Sequence, residues 1–239
     1  YMRNTPKGEW NYSIAPAFQK DGIQWQNWLG PNIEKRAEFS ADAFFRWRKY
    51  YPYCAGVLGD LFPHRLHPLM LATGSPEFPS RVCAIGTKPV HTDKNTPGTP
   101  ERDVPECMTL IAEFPSGYRL MVCSGTVNEY GLEDVVRGHM GNLLVGGSSV
   151  KLRIERPYSD EFDPENFDNL RPGESVAVND ADWIDCIRSG KKPNANIDLA
   201  IRTQAVISLG EMSDRLGTAC HFDGKTRTIK DGCGREVKP

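Results

Sequence analysis

The chain has 239 residues, a formal net charge of −2 and a mean hydropathy of −0.49, enough for one large domain with a real core. No run approaches the roughly 20 apolar residues that span a bilayer, and a near-neutral charge argues against nucleic acid held on a broad basic face. Residues 1–10 carry no signal-like apolar stretch; the tyrosine start reads as a cut chain, so a cytoplasmic location is expected, or a periplasmic one if a signal was lost upstream.

The first 55 or so residues are aromatic-rich with little periodicity, which predicts a long ordered segment packed on a main domain at 56–239. Within it the basic run Arg46, Arg48, Lys49, interleaved with Trp47, Tyr50 and Tyr51, reads as a solvated or partner-facing edge. Residues 59–74 predict a helix with Asp60 as N-cap, Leu66, Leu69 and Met70 at helical spacing, and Gly74 at the C′ position. Pro68 should kink that helix or end it early. The period then changes. Stretches 81–86, 108–114, 118–127, 134–138, 142–145 and 150–154 predict strands, with Pro115-Ser116-Gly117 and Gly146-Gly147-Ser148 as turns.

Helices return at 182–188, capped by Asn179 or Asp180, with Trp183, Ile184 and Ile187 on one side. A longer helix follows from Asn196, with a stripe of Ile201, Ala205, Leu209, Met212 and Leu216, closed by Gly217. A last strand is expected around 221–229. The fold class is therefore α+β: an open, mainly antiparallel sheet with helices packed on one face. Seven scattered cysteines form no CxxC or zinc-finger spacing and read mostly as small buried hydrophobes in a reducing compartment.

For chemistry, no GxGxxG or P-loop is present, and the one GxG, Gly232-Cys233-Gly234, precedes no helix. This chain alone is not expected to hold a dinucleotide. The informative stretch is Gly59-Asp60-Leu61-Phe62-Pro63-His64-Arg65-Leu66-His67. Asp60, His64 and His67 fall at i, i+4 and i+7, one face of a helix. A carboxylate accepts from sugar hydroxyls, and an imidazole can take a hydroxyl proton near neutral pH as hydride departs. The alternative is that Asp60 only caps the helix and His64 packs in the core. A metal reading of the three lacks an evident fourth ligand, and no metal is expected.

Three motifs together resemble one family. Trp25-Gln26-Asn27-Trp28-Leu29-Gly30-Pro31 is similar to a W-x-x-W-L-G-P segment, and Phe45-Arg46-Trp47 leads to Gly59-Asp60-x-x-x-His64. The run from Asp182-Trp183-Ile184-Asp185-Cys186 through Ile187-Arg188-Ser189-Gly190-Lys191-Lys192-Pro193 to Asn194-Ala195 is similar to a closing D-C-I/V-R-S-G-K-x-P motif. The family is that of the Gfo/Idh/MocA oxidoreductases, and the match is to its C-terminal, substrate-binding and oligomerisation domain. The resemblance implies NAD or NADP in the parent protein, bound by an N-terminal Rossmann domain that this chain lacks, together with that domain's lysine. It implies His64 as general acid/base and Asp60 as the residue that orients sugar hydroxyls. His67, followed by Pro68, stands where many relatives have aspartate. Arg3, Asn4 and Tyr12 are candidate substrate-binding residues on a segment beside the pocket, while Asn128, Glu129, Arg137 and His139 read as sheet edge and interface.

The expected partners are a sugar or polyol substrate, the missing Rossmann domain and further copies of the chain through the sheet face, with neither nucleic acid nor membrane. Two functions compete: one half of an NAD(P)-dependent oxidoreductase acting on CH–OH groups of a sugar, glycoside or polyol, and a non-catalytic sugar-binding or dimerisation module. A related possibility is an NAD-dependent glycosidase, in which the same oxidation assists hydrolysis.

Overall fold

A computed structural model describes residues 2–16, 18–31, 38–170 and 175–238; Tyr1, from which the cut start was argued, lies outside them. The fold is α+β, with mainly antiparallel strands. In chain order the elements are β1 (Arg3–Asn4), α1 (Trp25–Leu29), α2 (Ala41–Phe45), α3 (Val57–Asp60), α4 (Pro63–Ala72), β2 (Arg81–Thr87), β3 (Cys107–Glu113), β4 (Arg119–Gly125) and β5 (Val127–Asn128). There follow β6 (Asp134–Arg137), β7 (Gly141–Val145), β8 (Val150–Ile154), β9 (Glu165–Phe167), α5 (Val176–Ser189), α6 (Ile197–Leu216), β10 (Cys220–Asp223), β11 (Thr228–Lys230) and β12 (Glu236–Val237). The strands do not form one sheet, as expected, but a six-stranded sheet in the order β12-β11-β10-β2-β3-β4, a four-stranded sheet β6-β7-β8-β9 and a two-stranded ribbon β1-β5. Contacts divide the chain into two compact units, 1–130 with 197–239, and 131–196.

In the first unit the alternation of β2, β3 and β4 sends Val82, Ala84, Met108, Leu110, Ala112 and Val122 inward, all below 9 % exposed. Their register is fixed by antiparallel pairing, Ala84 opposite Leu110 and Leu110 opposite Val122. Helices α3, α4 and α6 cover this face with Val57, Leu58, Leu66, Met70, Val206 and Leu209. Ile85, Ile111 and Met121 point the other way and are exposed.

The buried stripe of α6 is turned from the expected one. It keeps Leu209 and Met212 but not Ile201, Ala205 or Leu216, and adds Leu199, Thr203, Val206, Ile207, Gly210 and Ser213, because small and polar residues also face the sheet. The Ser213 hydroxyl accepts from Ala84 N at 3.0 Å, and a Cβ on Gly210 would stand 2.5 Å from Leu110 Cδ1. Gly56, which opens α3, has φ 57 and ψ −131 and sits against Val104, whose Cγ2 a Cβ would approach to 2.6 Å.

The N-terminal segment is tied to this unit by buried charge, not by a solvated basic edge. Lys49 is 0 % exposed and Arg46 8 %. Arg102 donates to both oxygens of Asp93 at 2.8 Å and to Glu9 O at 2.7 Å, while Asn11 donates to Asp93 Oδ1 at 2.9 Å. Lys49 Nζ lies 3.5 Å from Asp93 Oδ1 and donates to Pro100 O. Burial alone would raise the Asp93 carboxyl, but the Arg102 bonds outweigh it and hold Asp93 far below the usual range. Glu106, equally buried, accepts from the backbone N–H groups of Val90, His91 and Thr92 and from the Thr92 hydroxyl. Those donors hold it below its ordinary value against the effect of burial.

The second unit is built on the β6-β7-β8-β9 meander, with Val136 opposite Leu143 and Leu143 opposite Leu152. Its helix α5 has 14 residues and begins earlier than expected. The cap is Ser175, whose hydroxyl accepts from Val178 N, not Asn179 or Asp180. Trp183, Ile184 and Ile187 are exposed on it. At the C-terminus of the chain the single expected strand is the hairpin β10-β11, extended by β12. The cysteines are free, and only Cys220 is buried, so most are not the core residues their apolar neighbours suggested.

Candidate functional site

The stretch carrying Asp60 and His64 is two short helices, not one. The N–H of Phe62 reaches back five residues to Val57 O (3.2 Å), and Pro63, with no N–H, starts α4 at its first position. Phe62 is the residue before α4, so Asp60 is not its cap; it is the last residue of α3. The helix passes through Pro68 and runs on to Ala72, with Gly74 in the left-handed conformation after it.

Freed from capping, the Asp60 carboxylate accepts from Arg48 Nε at 2.6 Å. The side chains are 29 % and 22 % exposed, half-buried rather than solvated. The Arg48 guanidinium lies 4.3 Å from the centroid of the Trp47 ring, a stacking distance that fixes its plane. Burial works against the guanidinium's charge, but the hydrogen bond and negative charge of Asp60 outweigh it and hold it above its ordinary value. Burial pushes the Cys54 thiol up to about 11, so it stays uncharged at neutral pH. A cleft of about 340 Å³ opens beside this cluster, lined among others by Trp47, Tyr53, Cys54, Gly59, Gln204 and Glu211.

His64 is exposed on the first turn of α4 and is not a core histidine. His67, one turn on, is half-buried; burial and the neighbouring His64 lower its pKa. Tyr12 is 50 % exposed and joins the Asp60 cluster, its carbonyl accepting from Arg46 Nε at 2.9 Å. Arg3 and Asn4 belong to the β1-β5 ribbon, opposite Asn128 and Val127, and Arg3 is paired with Glu9 at 3.2 Å. The sequence thus flags Asp60, His64, His67, Arg3, Asn4 and Tyr12, but reads Arg48 and Trp47 only as part of a solvated or partner-facing edge. The available signal was an arginine flanked by aromatics shortly before an acid-bearing helix. Among the described residues no group of three His, Cys, Asp or Glu is placed to hold a metal ion, and no helix is long and apolar enough to cross a membrane.

No protein-family model matches the chain, and no curated protein does. Solved structures do match. The aldose-aldose oxidoreductase of Caulobacter crescentus, complexed with glycerol, aligns with a TM-score of 0.53 at 18 % identity, over 74 % of this chain and 50 % of that one. An NAD-binding oxidoreductase from Klebsiella pneumoniae aligns at 0.56 and 17 % identity, over 73 % and 53 %. A levoglucosan dehydrogenase, in complex with NADH and levoglucosan, aligns at 0.53 and 16 % identity, over 72 % and 52 %. The chain therefore has the fold of a portion of Gfo/Idh/MocA-type NAD-binding oxidoreductases, and it spans about half the length of the structures it matches.

Proposed function

We propose that this chain is the substrate-binding half of an NAD(P)-dependent oxidoreductase that acts on a CH–OH group of a sugar, glycoside or polyol. The observation that carries the reading is the exposed His64 at the start of α4, four residues after Asp60 at the end of α3, on a fold shared with sugar oxidoreductases. On this reading the sugar enters the cleft lined by Trp47, Tyr53, Cys54 and Gly59, whose chain neighbour is Asp60. Asp60 accepts from hydroxyls, and His64 takes the hydroxyl proton onto its imidazole as the carbon is oxidised. A nicotinamide cofactor, when bound, accepts the hydride. No glycine-rich strand–turn–helix for its pyrophosphate exists in this sequence, so the reading assigns that role to a nucleotide-binding domain outside these residues. The outward row of Ile85, Ile111 and Met121 is, on the same reading, where a second copy docks.

His64→Ala tests the reading in the full-length protein that contains this chain. A positioned acid/base group is worth roughly 10²–10⁴ in rate. We expect kcat to fall by that order with the melting temperature unchanged, since an exposed side chain contributes little to packing. An unchanged kcat in the folded variant would remove His64 from the chemistry and the reading with it.

A further inference from the structure

We infer that Arg48 is a substrate-positioning residue, which together with Asp60 forms a donor–acceptor pair for two neighbouring hydroxyls of an uncharged sugar or polyol. The inference rests on the function proposed above and names the chemistry its site recognises.

The geometry gives Arg48 two sides. Nε is committed to Asp60 Oδ1. Its Nη1 and Nη2 donate to none of the described residues, and Asp60 Oδ2 accepts from none. The pair thus keeps a free donor edge beside a free acceptor. Adjacent hydroxyls each donate once and accept through oxygen, so one can donate to Asp60 Oδ2 while its neighbour accepts from an Arg48 N–H. The hydrogen bonds would be charge-assisted on both sides.

Three features separate this pair from an ordinary surface ion pair. It joins segments 12 residues apart in sequence. The guanidinium is stacked on Trp47, so less freedom is lost when a ligand binds. And Asp60 has no capping duty, so Arg48 is the one hydrogen-bonded partner of its carboxylate among the described residues. The neutral Cys54 thiol nearby does not compete for the cation. Because Asp60 already balances the charge of Arg48, a substrate carboxylate placed at the Nη edge would meet the Asp60 anion; the pair suits uncharged hydroxyls instead.

The experiment is a double-mutant cycle on KM in the full-length protein. The probes are D-glucose, D-galactose, D-xylose and myo-inositol, with D-glucuronate as the charged contrast; the neutral probe with the best turnover is used. Arg48→Gln should raise its KM roughly 10- to 100-fold, the size of one or two charge-assisted hydrogen bonds, and change kcat only a few-fold. In an Asp60→Asn background the same substitution should add less than about threefold, because the pair acts as one unit. Arg48→Lys should recover part of the loss. KM does not depend on the amount of folded enzyme, so a poorly folding variant still reports. The inference is overturned if Arg48→Gln leaves KM within about twofold, if it multiplies KM equally with and without Asp60, or if D-glucuronate outperforms every neutral probe. The Arg48 effect is read in the enzyme that keeps His64, so the two assignments fail separately: His64→Ala with normal kcat overturns the catalytic reading, and Arg48→Gln with unchanged KM overturns this one.

Discussion

Asp93 and Asp60 are both aspartates paired with an arginine, and they do opposite work. Asp93 is 1 % exposed, and both its oxygens are taken by Arg102, with Asn11 and Lys49 added. Asp60 is half-buried, with one oxygen bonded to one Arg48 nitrogen. A charge that is buried must be fully satisfied, because stranding it costs several kcal/mol. A charge at the rim can leave bonds unmade to the protein and hold them for a ligand. The difference in saturation, more than in residue type, separates a charge that holds the fold from one that is available for binding.

Three substitutions sharpen that contrast. Asp93→Asn should have the largest effect, a loss of about 3–5 kcal/mol in chemical denaturation, because it leaves Arg102 and Lys49 buried without their anion. Since the carboxyl is held below its unfolded value near 3.9, the wild-type stabilisation is fully present above that pH and is lost as pH falls through the lower folded value. A loss below about 1 kcal/mol would erase the distinction between the two pairs. Arg48→Gln should cost the fold less than about 1 kcal/mol, as half-exposed ion pairs do, while the inference above expects it to raise sugar KM.

The smallest effect concerns pH. His67 has a lowered folded pKa, so its neutral form is the one the fold favours. The stability tied to it is present above the unfolded value near 6.5 and declines as pH drops through the depressed folded value. His67→Gln should flatten the melting-temperature profile between about pH 7 and 5. An identical slope in wild type and variant would show that another group sets it.

Much of this was readable in the chain. Period-two alternation located β2, β3 and β4 to within a residue or two, since one face of each is buried. Helical spacing located α4 and α6. The phase of α6 was not readable, because Thr203, Gly210 and Ser213 face the core for close approach and hydrogen bonding, which hydrophobicity does not report. Asp60 matched the residue type of a cap, and only the placement of Pro63 at the first position of α4 shows that the helix starts later. Ser175 precedes a stretch with too few large apolar residues to mark a helix, so α5 was read short. The Arg48–Asp60 pair spans a chain reversal, and nothing in a linear pattern specifies which acid a given arginine will meet.

Gly56 has a bearing on how any genetic map of this protein will look. Its φ of 57 with ψ of −131 is open to glycine alone, and Val104 occupies the space a side chain would need. Every substitution there fails on both counts, four residues before Asp60. In a random-mutagenesis screen scored by lost growth or colour, alleles at 56 will therefore cluster with those at 60 and 64 and pass for lesions of the site. Soluble yield, measured allele by allele, will sort them: variants at 56 should lose the protein, while variants at 64, on the function proposed above, should keep it and lose the reaction.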